Sequence, residues 1–466
     1  MARAQEPVSY QRALGPFSAT MAVVGGIIGS GIFVTPAQVA ARAGSGALAL
    51  GVWVLGGAVA LAGAFCFGEL GRRRPRAGGT YVYVREAFGP LPAFLYAWAL
   101  LLVIGTGAIA ASAVACASYA APLVGLGPGA VLPLAAGSVV ALTAINYVGV
   151  RAGALVQNLF TLLKLAALAA LIVAGLGAPE AAGGWASPAG AALAGAPAAG
   201  GALAGAGAPA GGGAALAVAT ALVPVLFTYG GWQQTNHFAD ELVDAGRGLP
   251  RALVLGVAIV IAVYLLANLT YLRALGPAGL AASAAPAADA MRARLGEAGA
   301  RLIAAGIAAS SFGFLNLTLL SGPRVYQTMA ADGAFLPALA RLSPRFRTPG
   351  AALAVQGAWA LVLLATSGYG QLLDYVVFCD WLFFGLAALS LFVLRRRDRA
   401  AGAPEPPAAF RVPGYPLVPA AFAAAAAYVV VGSVASNPKN ALLGALILAL
   451  GVPVFFYYAR RARPPR

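Results

Sequence analysis

The chain has 466 residues, 61% hydrophobic and only 9% charged, with a mean hydropathy of +0.84. Soluble chains carry about 25% charged residues, so a soluble enzyme or binding module is excluded and a polytopic helical membrane protein is indicated. The formal net charge of +16 argues for no nucleic-acid partner, because the arginines gather in short stretches between apolar runs.

Crossing a bilayer takes about 20 apolar residues, and about twelve runs qualify: 14–40, 47–71, 91–120, 129–149, 153–177, 214–242, 251–275, 299–330, 350–368, 372–394, 415–435 and 440–459. The first exceeds a signal peptide's core and reads as a retained helix, interrupted by Gly25-Gly26-Ile27-Ile28-Gly29-Ser30-Gly31. The second ends in Arg72-Arg73-Arg74-Pro75-Arg76, and Tyr81 to Phe88 alternates aromatic, apolar and charged residues like an interfacial lead-in. Within the fifth run Lys164 lies about eleven residues from the start, hence ~16 Å deep at about 1.5 Å per residue. Residues 178–213 are almost wholly Ala, Gly and Pro with the single charge Glu180, a flexible external loop too poor in bulky residues to pack a core. The sixth run is interrupted at Phe227-Thr228-Tyr229-Gly230-Gly231-Trp232, and 398–416 reads as an ordered cytoplasmic connector rich in Pro and Arg.

The two glycine-rich interruptions lie about 200 residues apart. Hydrocarbon offers no water to a free peptide group, so a helix broken at membrane depth faces protein or a polar cavity. Breaks at matching places in two halves of a chain point to a transporter's binding site; close helix packing at small residues is the plainer alternative. The arginines at 72–76, 341–347, 395–399 and 460–466 occupy loops on one side, the opposite loops holding chiefly Arg42, Arg292, Arg294 and Lys439. Basic loops stay cytoplasmic, which places both termini inside and leaves some attraction to anionic lipid. Cys66, Cys116 and Cys379 all fall in apolar runs and suggest neither a disulfide framework nor a metal site. With no paired metal ligands and no nucleophile–base constellation, neither an enzyme nor a cofactor is expected. The bias toward Ala, Gly and Arg points to a GC-rich bacterial genome.

Gly29-Ser30-Gly31-Ile32-Phe33 resembles the first-helix signature of the amino acid–polyamine–organocation superfamily. Gly78-Gly79-Thr80-Tyr81-Val82-Tyr83, followed by Glu86-Ala87-Phe88-Gly89-Pro90, is similar to that superfamily's approach to the third helix. Phe227 to Trp232 with Asn236, Glu241 and Leu249-Pro250-Arg251-Ala252-Leu253 resembles the sixth helix and following loop of the L-type amino-acid transporter branch. Arg324-Val325-Tyr326 with Ala331-Asp332-Gly333, and Phe410-Arg411-Val412-Pro413-Gly414-Tyr415-Pro416, continue the match in order. One departure is Gln233-Gln234 in place of the Asn-Tyr pair common in that branch, which leaves substrate choice open. The resemblance implies an all-α membrane protein with a LeuT-type 5+5 inverted repeat. Repeat one would cover about 14–177 and repeat two about 214–394, with broken helices one and six and two additional helices at about 415–459. All belong to a single transporter domain.

The physics of the breaks suits the substrate so implied. A helix resuming after Gly29 presents free N–H groups and a positive dipole end to a carboxylate; Ser30 adds a hydroxyl and Gly31 leaves the backbone approachable. By resemblance, the carbonyls of Ile27, Phe227 and Gly230 accept from the substrate's ammonium, with Phe227 as a lid. An ionisable residue at the depth of Lys164 is costly and functional by default. Two readings stand: an amine that exchanges a proton during transport, or a fixed cation bonded to backbone carbonyls. In similar superfamily members an amine here occupies the place of a sodium ion, so both argue against sodium coupling. Val103, Ile104, Ser310 and Ser311 are candidate pocket walls by helix position, and Trp381 with Asp380 either lines the inner pathway or packs. His237 is expected to be structural or on the cytoplasmic side, Asp240 and Glu241 to pair with cytoplasmic arginines, and Glu69 to do likewise beside Arg72.

The expected function is secondary transport of amino acids across the cytoplasmic membrane, by sodium-independent proton symport or by amino-acid exchange. Neutral substrates are favoured because no acidic residue is recognisably placed opposite the substrate side chain. A cationic amino-acid or polyamine carrier, or an amino-acid sensor that does not transport, are the alternatives. Animal L-type transporters join a heavy chain through a cysteine after the third span; residues 121–128 hold none, so no disulfide-linked partner is expected.

Overall fold

The computed structural model describes residues 8–177, 180, 214–366, 369–402, 409–436 and 438–461. The expected external loop, Glu180 apart, lies outside the described residues, as does 403–408 of the expected connector.

Helix α1 (Pro16–Ile27) opens on a proline, whose missing N–H costs nothing in a first turn, and is separated by Ile28, Gly29 and Ser30 from α2 (Gly31–Ala43). The pair is bent by 43°. Helix α3 (Gly46–Arg73) is capped by Ser45, whose hydroxyl accepts from Leu48 N–H. Then come α4 (Thr80–Phe88) and α5 (Pro90–Ala99), which runs through a π turn (Leu100–Ile104) into α6 (Gly105–Leu123). Helices α7 (Val131–Val148) and α8 (Val150–Leu176) complete the first half. In the second half, α9 (Ala214–Thr228) gives way to a 3-10 stretch (Trp232–Glu241), followed by α10 (Ala245–Ala282) and α11 (Pro286–Ala331). Helices α12 (Gly350–Thr366), α13 (Tyr369–Ala400), α14 (Leu417–Ser436) and α15 (Pro438–Arg461) finish the chain.

Among the described residues, every apolar run picked from the sequence carries helix, interrupted only at the two breaks in the first and sixth. Among the described residues, eight unbroken helices are long and apolar enough to span a membrane, or nine with the bent α1–α2 pair. The remaining expected spans are α9 with its 3-10 stretch, α12 and α13. Helix α1 packs on α8, α10 and α11, and α2 on α9 and α10, which puts both broken spans at the centre. Helices α14 and α15 lie outside, against α13 with α3 and α5. This is the multi-span, all-helical architecture that the resemblance implies.

Two expectations are revised, at Tyr81–Phe88 and at Asp240, while the arginine pairing expected of Glu69 and Glu241 is present. The stretch from Tyr81 to Phe88 is not a surface lead-in: Tyr81, Val82, Tyr83, Val84 and Ala87 are buried in α4, which packs on α13, and Tyr81 donates to Asp332 at 3.0 Å. Aromatic and charged residues alternate there because the helix has protein on most sides. Glu69 is fully buried and pairs with Arg73 at 2.8 Å and with Arg395, while Arg72 Nε donates to the Phe410 carbonyl at 2.9 Å. Arg73 and Arg74 each hold Asp398 at 2.7 Å. The basic stretch after α3 therefore bridges three parts of the chain. Of the next pair, Glu241 meets the buried Arg324 at 3.0 Å, but Asp240 accepts from the backbone N–H of Ala77 at 3.0 Å.

Candidate functional site

At the first break the chain leaves helical geometry at Ile28 (φ −75°, ψ 93°). Its carbonyls are exposed at membrane depth, and three side chains meet them. Lys164 Nζ donates to Gly25 O at 3.0 Å, Ile28 O at 2.6 Å and Ser310 O at 3.1 Å. Ser310 Oγ lies 3.1 Å from Ile28 O and 3.0 Å from Gly29 O, and Tyr264 OH donates to Ile27 O at 3.0 Å. Beyond the break, Phe33 N–H closes on Ser30 O at 3.1 Å, the N–H groups of Gly31 and Ile32 open α2 without a carbonyl one turn earlier, and the Ser30 hydroxyl makes no capping bond.

The second break follows Thr228. Gly231 has φ +109°, in the region that favours glycine, and any Cβ there would overlap the Gly26 carbonyl. The two breaks thus touch backbone to backbone. Gly231 N–H donates to Gln233 Oε1 at 2.9 Å, and Thr228 Oγ1 bonds Thr35 Oγ1 at 3.0 Å, tying α9 to α2.

One cavity of about 170 Å³ is bordered by both breaks. Ile27, Ser30 and Gly31 border it from the first, and Phe227 and Gly230 from the second. Of the helix-position candidates, Ile104, Ser311 and Trp381 border it. Val103 is buried in the π turn and Ser310 faces the α1 carbonyls, so neither borders the cavity. Lys164 stands behind the wall as well, its amine directed at three backbone carbonyls. The three carbonyls assigned to an ammonium are not equivalent: Ile27 O already accepts from Gly29 N–H at 2.9 Å and from Tyr264, and Phe227 O from Gly230 N–H at 3.0 Å. Gly230 O has no side-chain donor among the described residues.

Tyr96 escapes a sequence reading. Gln233, Gln234 and His237, noted there without a pocket role, border the cavity with it, as does Asp380, for which lining is one of two readings. His237 is buried and shares a 3.0 Å hydrogen bond with Tyr96 OH, a structural placement that also brings it to the cavity wall. Asp380 corrects the expectation that no acid faces the substrate. Hydropathy shows that α13 spans the membrane but not which side of it meets the cavity. The run carries two carboxylates, Asp374 and Asp380; an acid in an apolar run is a functional candidate by default, but residue order does not say which one meets the cavity.

Broken helices apposed around a cavity at membrane depth are a transporter's architecture, and the profile of the amino acid permease family matches residues 14–457. The chain belongs to the amino acid permease family. The permease is 34% identical over 458 residues to the large neutral amino acids transporter small subunit 2 of Rattus norvegicus, across 96% of this chain and 81% of that protein. It is 31% identical over 459 residues to the serine/threonine exchanger SteT of Bacillus subtilis, across 98% and 99% of the two chains. To the human b(0,+)-type amino acid transporter 1 it is 31% identical over 461 residues, across 98% of this chain and 90% of that one. The protein is a multi-pass membrane transporter of amino acids, not an enzyme.

Proposed function

We propose that this permease exchanges amino acids across the cytoplasmic membrane without sodium, gripping the α-carboxylate and α-ammonium between the two breaks. The observation that carries the reading is that both breaks border one cavity. The carboxylate takes the N–H groups of Gly31 and Ile32 with the Ser30 hydroxyl, where the helix dipole adds attraction, and Gly31 leaves room for it. The ammonium takes the Gly230 carbonyl, joined by those of Ile27 and Phe227 when their present partners yield, and the Phe227 ring covers the ligand.

Exchange is favoured over proton symport by Lys164. All three of its N–H donors are used, on Gly25 O, Ile28 O and Ser310 O. An amine so satisfied acts as a permanent brace and fills the crevice where a coupling cation would sit. Neutral amino acids are the primary cargo in this reading, supported by a large neutral amino acid transporter and a serine/threonine exchanger among the relatives. We further assign both termini to the cytoplasm, on the arginine distribution, and a bacterial origin, on composition. The two five-span repeats form one domain, and the absence of cysteine from 121–128 supports a protein without a disulfide-linked heavy chain.

Counterflow in proteoliposomes tests this. Labelled alanine or threonine should enter vesicles preloaded with unlabelled amino acid, in sodium-free buffer, several times faster than empty ones. Uptake that requires sodium, or that enters empty vesicles as fast under an inward proton gradient, would overturn exchange.

A further inference from the structure

Asp380 is the one residue bordering the cavity, among those described, that is formally charged at neutral pH. It sits on α13, a wall that packs against α6 and the π turn. Its carboxylate has no hydrogen-bond or ion-pair partner among the described residues. The cations deeper in the bundle are committed elsewhere: Lys164 to three carbonyls and Arg324 to Glu241 at 3.0 Å. His237 shares its Nε2 with Tyr96.

A bare carboxylate in so enclosed a place is unfavourable unless a cation or a donor arrives with the cargo. An amino acid with an apolar side chain brings neither: its carboxylate and ammonium are both used at the breaks, and its side chain leaves Asp380 as it was, while a hydroxyl side chain brings a donor but no charge. An amino acid whose side chain ends in a cation brings the missing charge. The surroundings suit such a side chain. Ile104, Phe384 and Trp381 border the same space, apolar surface against which a methylene stem packs while its head reaches a polar group. The Trp381 ring, next to the carboxylate in sequence, offers a cation a π face.

We infer that Asp380 is the side-chain subsite of this permease and that it extends the cargo from neutral amino acids to those with a cationic side chain. The inference rests on the breaks holding the α-amino and α-carboxyl groups. Lysine and norleucine are the discriminating pair, because they share a four-carbon stem and differ by the terminal amine. Each is titrated against labelled alanine counterflow in proteoliposomes of the full-length protein. Lysine should compete about tenfold better than norleucine or more, as a charge-assisted hydrogen bond allows. Asp380→Asn should bring that ratio to near one or below, and Asp380→Glu should retain a lysine preference. Norleucine competing as well as lysine against the unmodified protein would overturn the inference, whatever the variants do. So would a lysine preference that survives in Asp380→Asn. Absence of alanine counterflow in the unmodified protein would instead sink the exchange reading, so the two failures are distinguishable.

Discussion

The two breaks solve one problem by different means. At the first, the freed carbonyls of Gly25, Ile28 and Gly29 are met by side chains from distant helices, Lys164 on α8 and Ser310 on α11. At the second, support is largely local: Gln233 reaches back to Gly231 N–H, Gly230 N–H closes on Phe227 O, and Thr228 bonds Pro224 O at 2.8 Å. Only Tyr264 serves both among the described residues, with its hydroxyl 3.0 Å from Ile27 O and 3.3 Å from Thr228 O. The first break is therefore pinned to the scaffold, whereas the second can change shape while keeping its own hydrogen bonds. A transporter that must open on alternate sides benefits from one anchored and one adaptable segment around its ligand.

The severest way to break this comparison is at the point of contact. Gly231→Ala demands a left-handed backbone, costing roughly 1–2 kcal/mol, and drives a methyl group into the Gly26 carbonyl. Uptake should fall to background and the melting temperature in detergent should drop; wild-type uptake would show that the breaks need not touch. Gly31→Leu comes next. Its Cβ would lie 3.0 Å from Thr228 Cγ2 and 3.1 Å from Thr228 Oγ1, so the rest of the side chain must crowd the carboxylate site. Uptake should be lost while gel filtration still reports a folded monodisperse protein, and normal affinity in this variant would sink the assignment.

Lys164→Ala separates a brace from a coupling group. It strands carbonyls that each accept from a charged donor, a bond worth roughly 1.5–3 kcal/mol. Binding, exchange and thermal stability should decline together. If proton-driven uptake disappeared while exchange survived intact, Lys164 would be the coupling residue and the anchored–adaptable contrast would need revision. Ser30→Ala should do least. Loss of one hydrogen bond to a charged carboxylate costs about 1.5 kcal/mol, roughly a tenfold rise in the half-saturation concentration, with stability unchanged because the hydroxyl caps nothing in the empty protein.

Much of this was legible from residue order. The membrane-crossing helices fell on the apolar runs, though α10 and α11 extend past theirs, and both breaks followed their glycines. Lys164 stood out because a lone amine in an apolar run is costly wherever it points. Residues whose role depends on helix rotation were less legible. Adjacent Ser310 and Ser311 looked interchangeable, yet one hydroxyl meets α1 carbonyls and the other residue borders the cavity. Adjacent Val103 and Ile104 divide the same way, in a π turn whose widened winding no hydropathy pattern announces.

The sequence by itself determined that the chain crosses the membrane many times and where two of those crossings fail to stay helical. Composition and periodicity suffice for that, because hydrocarbon penalises every unpaired peptide group. Only the tertiary structure decided what meets the freed groups and which charge is left over. Lys164 and Asp380 are each an ionisable residue inside an apolar run. The packing of α8 against α1 and α11 gives the amine three carbonyls, and the packing of α13 against α6 leaves the carboxylate facing open space. That difference arises from contacts between helices more than a hundred residues apart in sequence, which local patterns do not encode.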